Sequence, residues 1–258
     1  MRNERKILSS HSFCFPFCSV AAGIVTKKAL RARIGGFNMK LLQKITSLVM
    51  TATIVMGVGS NILAGPKSVK IDAKHFPDPG FRTYVSSHFD IDHNGTLSVY
   101  EIEKALVVWI DETQNVKSLK GVKYLTFIKE FTIVNSQLTD TEVDLFDNFN
   151  LIKIKFLNVK GFTSLIPGMV TTELEVASCE NLKTIDFQDT YYLSRLTLTS
   201  NNKLKGDIDL SVSPYLDYLM IYDPAIKQGS HYIDNVYVNK KAKLTYYDAT
   251  INGKIIKK

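Results

Sequence analysis

Apolar residues recur along the second half of the chain with a regular spacing: positions 0, +2 and often +8 are apolar, and a small or polar residue falls near +5. The clearest copy is LTLTSNNKLKGDI, with Leu196, Leu198, Asn201, Leu204 and Ile208, and a second is LEVASCENLKTI, with Leu174, Val176, Cys179, Leu182 and Ile185. Weaker copies start at Val108, Phe131, Ile154 and Leu219, and a degenerate last copy starts at Val236. From Val108 to Leu219 the starts differ by 23, 23, 20 and 22, then 23 residues. A period of that length predicts a stack of similar units, each contributing one short strand. Parallel pairing of the strands points both residues of each apolar-x-apolar pair inward. The Asn201 amide is placed to satisfy backbone groups where the chain turns away. Cys179, Val159 and Ser136 fill the same slot, and Cys179 is expected to be a buried structural thiol.

Upstream the periodicity is helical. Pro77 to Gly80 turns the chain into Phe81 to Phe89, where Phe81, Tyr84, Val85 and Phe89 share one face. A second helix is expected over Val99 to Val107, with Ile102, Leu106 and Trp109 packing toward the first repeat. Between the two lies DIDHNGTLSVYE, residues 90–101, which places oxygen-bearing side chains at positions 1, 3, 5, 7, 9 and 12 of a calcium loop. Asp90, Asp92 and Asn94 offer side-chain oxygens, Thr96 its carbonyl, Ser98 a direct or water-borne contact, and Glu101 two oxygens to close the site. Gly95 permits the sharp bend. The competing reading is a loop that merely caps a helix. Calcium loops usually occur in pairs, and the ending DATINGKIIKK stops before a twelfth position, so Asn252-Gly253 predicts a hairpin turn instead. An unpaired loop is expected to bind calcium weakly, with Kd about 10⁻⁴ to 10⁻³ M.

The 258 residues are 45% hydrophobic and carry a formal charge of +7, which first suggests an anionic partner. The N-terminal region removes that suggestion. From Met39 the run MKLLQKITSLVMTATIVMGVGSNILAG has two lysines, an apolar stretch from Ile45, and small residues at Ser60 and Ala64, the layout of a secretory signal peptide over 39–64. Cleavage after Ala64 is the expectation; Ser60 is the alternative site, and an uncleaved anchor helix is the alternative to cleavage. Residues 1–38 then read as an untranslated leader, because Gly35-Gly36 can be encoded by a purine-rich ribosome-binding sequence just before Met39. Residues 1–64 hold nine basic residues and one acidic residue, whereas 65–258 hold 23 basic and 24 acidic, a net charge of −1. No nucleic-acid partner is expected, nor a membrane span in the mature chain. The basic segment from Lys240 to Lys258 reads as a solvated end. With Cys179 the one cysteine past the leader, no disulfide framework forms within a molecule.

FPDPGFRTYVSSHFDIDHNGTLSVYEI, residues 76–102, followed by VKSLKGVKYLTFIKEFTIVNSQLTD, residues 116–140, resembles a group of secreted bacterial leucine-rich-repeat proteins, some internalin-like, with an EF-hand-like calcium loop before the repeats. The resemblance implies an α+β fold: a short, irregular leucine-rich-repeat solenoid with a parallel strand ladder over 108–258, capped by a helix, calcium loop and helix over 72–107. It also implies a secreted or cell-surface interaction protein but no particular ligand; a protein or glycan ligand is expected from the aromatic residues of the last repeat. Neither G-x-S-x-G nor H-E-x-x-H nor a telling Cys/His pair occurs, so a binder is expected rather than an enzyme. The alternatives are a dockerin-like assembly module, which a single loop disfavours, and a hydrolase or inhibitor without a visible motif. Residues flanking the inward pairs face outward; parallel register sets Lys153 and Lys155 beside Glu173 and Glu175, and Arg195 beside Glu173. On the last such strand, Tyr218, Met220 and Tyr222 form the candidate ligand surface, unless the C-terminal tyrosines fold over it as a cap.

Overall fold

The computed structural model describes residues 67–222 and 233–258. The expected leader and signal peptide, 1–38 and 39–64, lie outside the described residues. The described residues belong to one compact unit.

That unit is a β-solenoid of about six turns, built on parallel strands. Seven strands make its main sheet: β3 (Val107–Ile110), β4 (Glu130–Val134), β6 (Lys153–Leu157), β8 (Glu173–Ala177), β10 (Arg195–Thr199), β12 (Tyr218–Tyr222) and β14 (Tyr246–Ala249). Between them, on the far side of the core, run β5 (Glu142–Asp144), β7 (Ser164–Ile166) and β9 (Thr184–Ile185) as one small sheet. Strands β11 (Gly206–Leu210), β13 (Ile233–Val238) and β15 (Ile255–Lys257) form another. Each turn of chain therefore passes once along each side of a shared interior.

The apolar pairs set the register. Val108, Phe131, Ile154, Leu174, Leu196 and Leu219 are direct neighbours on successive strands, and so are Ile110, Ile133, Phe156, Val176, Leu198 and Ile221. All twelve are buried. Alternating buried and exposed positions along β6 and β8 follow from the two-residue side-chain period. The +5 slot works as its chemistry requires: the Asn201 amide accepts the Cys179 N–H at 3.0 Å and donates to the Val176 carbonyl at 2.8 Å, tying its turn to the one before. Cys179 is buried, and burial pushes its thiol up to about 12.

Two expectations about the later repeats are corrected. The last copy starts at Tyr247, which pairs with Leu219, and not at Val236, which pairs with Ile208 and Ile255 in the far-side sheet. Val236 lies 17 residues past Leu219, where Ile208 lies 12 past Leu196, so surplus chain between β12 and β13 shifts the pattern. Asn252-Gly253 makes no hairpin either. It carries the chain from one sheet to the other, because β14 and β15 pair with different strands.

The N-terminal end is closed by α1 (Pro79–Phe89), β2 (Thr96–Leu97) and α2 (Val99–Lys104). Helix α1 buries Phe81, Tyr84, Val85 and Phe89, the residues its spacing marked. Asp78 caps it by accepting the Phe81 N–H at 2.7 Å, and its other oxygen accepts the Lys117 N–H at 3.2 Å, joining cap to first turn. The Tyr84 hydroxyl accepts the Trp109 N–H at 2.9 Å. Gly80 is required by close approach, since a β-carbon there would stand 2.5 Å from the Asn115 carbonyl oxygen. The second helix stops at Lys104 instead of reaching Val107. The β-branched and aromatic run that follows pairs with β4, which turns Trp109 outward rather than toward the first repeat.

Leu196→Ala is expected to cost about 2–5 kcal/mol, because the ladder cannot close over the cavity left behind. Lys153→Ala should change stability by about 1 kcal/mol at most. Urea denaturation of both variants checks the contrast.

Candidate functional site

Residues 90–101 fold as a loop between α1 and α2 whose backbone is organised around its own acids. Asp90, only 3% exposed, accepts the Asn94 N–H at 3.1 Å on one carboxylate oxygen and the Gly95 N–H at 3.0 Å on the other. Asn94 turns toward Asp92, donating to it at 2.7 Å, and accepts the Thr96 N–H at 2.8 Å. His93 and Gly95 both take positive φ, 54° and 78°, which gives the bend its shape. Glu101, also 3% exposed, accepts the Ile91 N–H at 2.6 Å on one oxygen, and the Ser98 N–H and hydroxyl, each at 2.7 Å, on the other. With the Glu101 N–H returned to Ser98, this is a capping box that starts α2.

The six sequence-marked residues are therefore not equivalent. Oxygens of Asp90, Asp92 and Glu101 lie within 4.8 Å of one another, the one such group of three metal-ligating side chains among the described residues. Asn94 sits beside Asp92, Thr96 lies in the β2 strand, and Ser98 is committed to Glu101. The donors are all oxygen and three are carboxylates, the set a hard cation takes. Each oxygen of Asp90 and Asp92 accepts one bond from the loop and keeps a lone pair, whereas both Glu101 oxygens already accept two. The oxygen donor set fits a calcium ion, for which Glu101 would exchange hydrogen bonds from Ser98 and the Ile91 and Asp92 backbone.

Among the described residues a strand, and not a second such loop, pairs with this one. Thr96–Leu97 pairs antiparallel with β1 (Val69–Lys70), and the Ile71 N–H bonds the Gly95 carbonyl at 2.9 Å. The chain's own upstream strand thus braces the loop.

Burial alone would raise the Glu101 carboxyl, but the hydrogen bonds from Ser98, Ile91 and Asp92 outweigh it and hold it below the usual glutamate range. Its ionised form therefore stabilises the folded state above the unfolded value of ~4.3. That contribution disappears as the pH falls through the lowered folded value.

The outward face of the main sheet is the other candidate. Its middle carries the expected charge ladder: Lys153 pairs with Glu173 at 3.4 Å, and Lys155 reaches both Glu173 and Glu175. Arg195 departs from expectation. It stands beside Glu173 in register, but its guanidinium lies over the Tyr218 ring, 4.1 Å from the centroid. Tyr218 stacks on Tyr246 with centroids 4.6 Å apart, and its hydroxyl lies 3.6 Å from the Met220 sulfur. Tyr246 is thus the next rung of the ladder, and the C-terminal strand extends the face instead of folding over it as a cap. Tyr222 and Tyr246 remain exposed.

Sequence reasoning missed the opposite end of this face. Val107 and Trp109 stand outward on β3, and Trp109 is 54% exposed. The alternation in VVWI, aligned with the copy starting at Val108, was the signal that places Trp109 outside.

Fold and face together define a leucine-rich-repeat-type β-solenoid with an exposed strand ladder and an acidic loop at its N-terminal end. No protein-family model matches the chain, and no curated protein matches it. Among solved structures it is similar to internalin C2 from Listeria monocytogenes, at 16% identity over 71% of this chain and 98% of that one, with a TM-score of 0.31. It is also similar to the functional domain of InlJ from Listeria monocytogenes, which includes a cysteine ladder, at 13% identity over 74% of this chain and 62% of that one, with a TM-score of 0.25. The functional reading of this chain rests on its own residues. Among the described residues no helix is long and apolar enough to cross a membrane.

Replacing Glu101 with Gln is expected to lower the melting temperature at pH 7, with the gap between variant and parent closing below about pH 4. Melts across pH 3–8 measure this; a gap independent of pH would show that the carboxylate charge is not what stabilises the cap.

Proposed function

We propose that this chain is a secreted or cell-surface, non-catalytic interaction protein that binds a protein partner on the outward face of its seven-stranded sheet. One observation carries the reading: aromatic groups stand exposed at both ends of one continuous face, Trp109 on β3 and Tyr222 and Tyr246 on β12 and β14 beside the half-buried Tyr218, with a charged ladder between. Five strand spacings separate β3 from β12, roughly 24 Å, a span that suits the ~800 Å² patch each partner gives to a stable interface. Aromatic anchors supply affinity, and the charges supply register and selectivity. Secretion rests on the sequence of residues 39–64.

The loop at 90–101 serves the same function by holding the cap. Asp90, Asp92, Asn94, the Thr96 carbonyl, Ser98 and Glu101 are the residues that would hold calcium. The ion would offset the mutual repulsion of the three carboxylates. It would thereby strengthen the closure of the solenoid's first turn.

Two measurements test these statements. Trp109→Ala, or Tyr218→Ser with Tyr222→Ser, is expected to weaken binding of a protein partner by about tenfold or more. The melting temperature should stay near that of the parent; unchanged binding in both variants removes the sheet face from the function. Separately, about 5 mM calcium should stabilise the full chain by about 1–2 kcal/mol, where magnesium does not. The gain should vanish in Asp92→Ala, whose side chain is exposed. Calcium and chelator giving the same melt would leave 90–101 as a metal-free turn.

A further inference from the structure

Where the chain leaves the first strands of the ladder, its turns border an open surface cavity of about 270 Å³, whose asparagines are exposed. Three asparagines line it, Asn115, Asn135 and Asn158, and all three hold positive φ, 50°, 48° and 54°. Asparagine tolerates this left-handed backbone better than most residues, which explains its use at the turns. The following turns carry Ser178 and Ser200 in the same conformation, so φ does not itself demand an amide. The asparagines cluster at the cavity.

Their hydrogen-bonding capacity is largely free. Asn158 Nδ2 donates to Asn135 Oδ1 at 3.0 Å. That leaves Asn135 Nδ2, Asn158 Oδ1 and the whole Asn115 amide without a partner among the described residues. Glu112 and Lys117 also line the cavity, opposite in charge and each without an ion pair among those residues, while Lys160 is balanced by Glu180 at 3.6 Å. Val116 lies buried beneath these side chains. Donors and acceptors alternate, and net charge is close to balanced.

We propose that this cavity binds a single neutral sugar ring, free or as part of a glycan. A ring hydroxyl donates and accepts at once, so it pairs with an amide N–H and an amide or carboxylate oxygen together. A small anion would meet Glu112 and the Asn158 carbonyl oxygen, which repel it. The volume lies just under the ~300 Å³ at which drug-sized pockets begin, so one ring fills it. This site is separate from the sheet face, and its failure would leave the protein-binding reading intact.

The test is ¹⁵N-detected titration of the full chain with glucose, galactose and N-acetylglucosamine, each to tens of millimolar, and with inorganic phosphate for comparison. At least one sugar should give saturable shifts in the side-chain amide signals of Asn115, Asn135 and Asn158. Asn158→Gly, which keeps positive φ without strain, should weaken that binding by about tenfold. If the glycine variant loses its cooperative melt, Asn158→Asp serves in its place by removing the amide donor. No saturable shift with any sugar, shifts unaffected by the variants, or phosphate binding more tightly than every sugar would each overturn the proposal.

Discussion

The in-register apolar ladder is the constraint on which everything else depends. No single turn can bury Phe131 or Leu196 by itself, because each strand presents two apolar side chains to one face and has nothing opposite them but the far side of its own loop. Stacking solves this by giving every inward residue a neighbour above and below. Parallel register follows, since a shift of one residue would turn the inward set outward. Once Val108, Phe131, Ile154, Leu174, Leu196 and Leu219 align, the outward residues align as well, and both the charge ladder and the aromatic ends are consequences.

A stack has ends, and the two ends are treated differently. At the N-terminal end α1 covers the first turn, held by Asp78 to the Lys117 backbone and by the Trp109 backbone to Tyr84. The acidic loop follows directly from that helix, so its geometry is coupled to the closure of the core. At the other end Tyr247 occupies a position where Leu219 is buried one turn earlier, yet it is 64% exposed. The last turn places core positions in contact with solvent.

The charged middle of the sheet face contributes little to stability, since its ion pairs are partly exposed. In the proposed binding role, arranged charges would discriminate among partners, and the flanking aromatic groups would provide contact area. Arg195 shows how the two regions meet: with Tyr218 available, the guanidinium takes the aromatic face while Lys153 and Lys155 hold the glutamates.

Much of this was legible in the sequence, because two-residue alternation and a period near 22 residues are local signals that survive without knowledge of contacts. They determined the inward ladder up to Leu219, the buried face of α1, the role of Asn201 and the lysine-glutamate neighbours. Of the oxygens marked by spacing in 90–101, the loop brings together the carboxylates of Asp90, Asp92 and Glu101. Tertiary structure decided what depends on competition between partners. Whether 105–110 continues a helix or joins a sheet was settled by β4 waiting beside it, and the loop's brace by β1, a strand too short to declare itself. Surplus chain after β12 moved the last repeat to Tyr247, and the choice of Tyr218 over Glu173 by Arg195 needed the third dimension. The asparagine-lined cavity belongs to the same class, since residues 115, 135 and 158 become neighbours only when successive turns stack. A sequence records which side chains each turn offers; only packing fixes which of them meet.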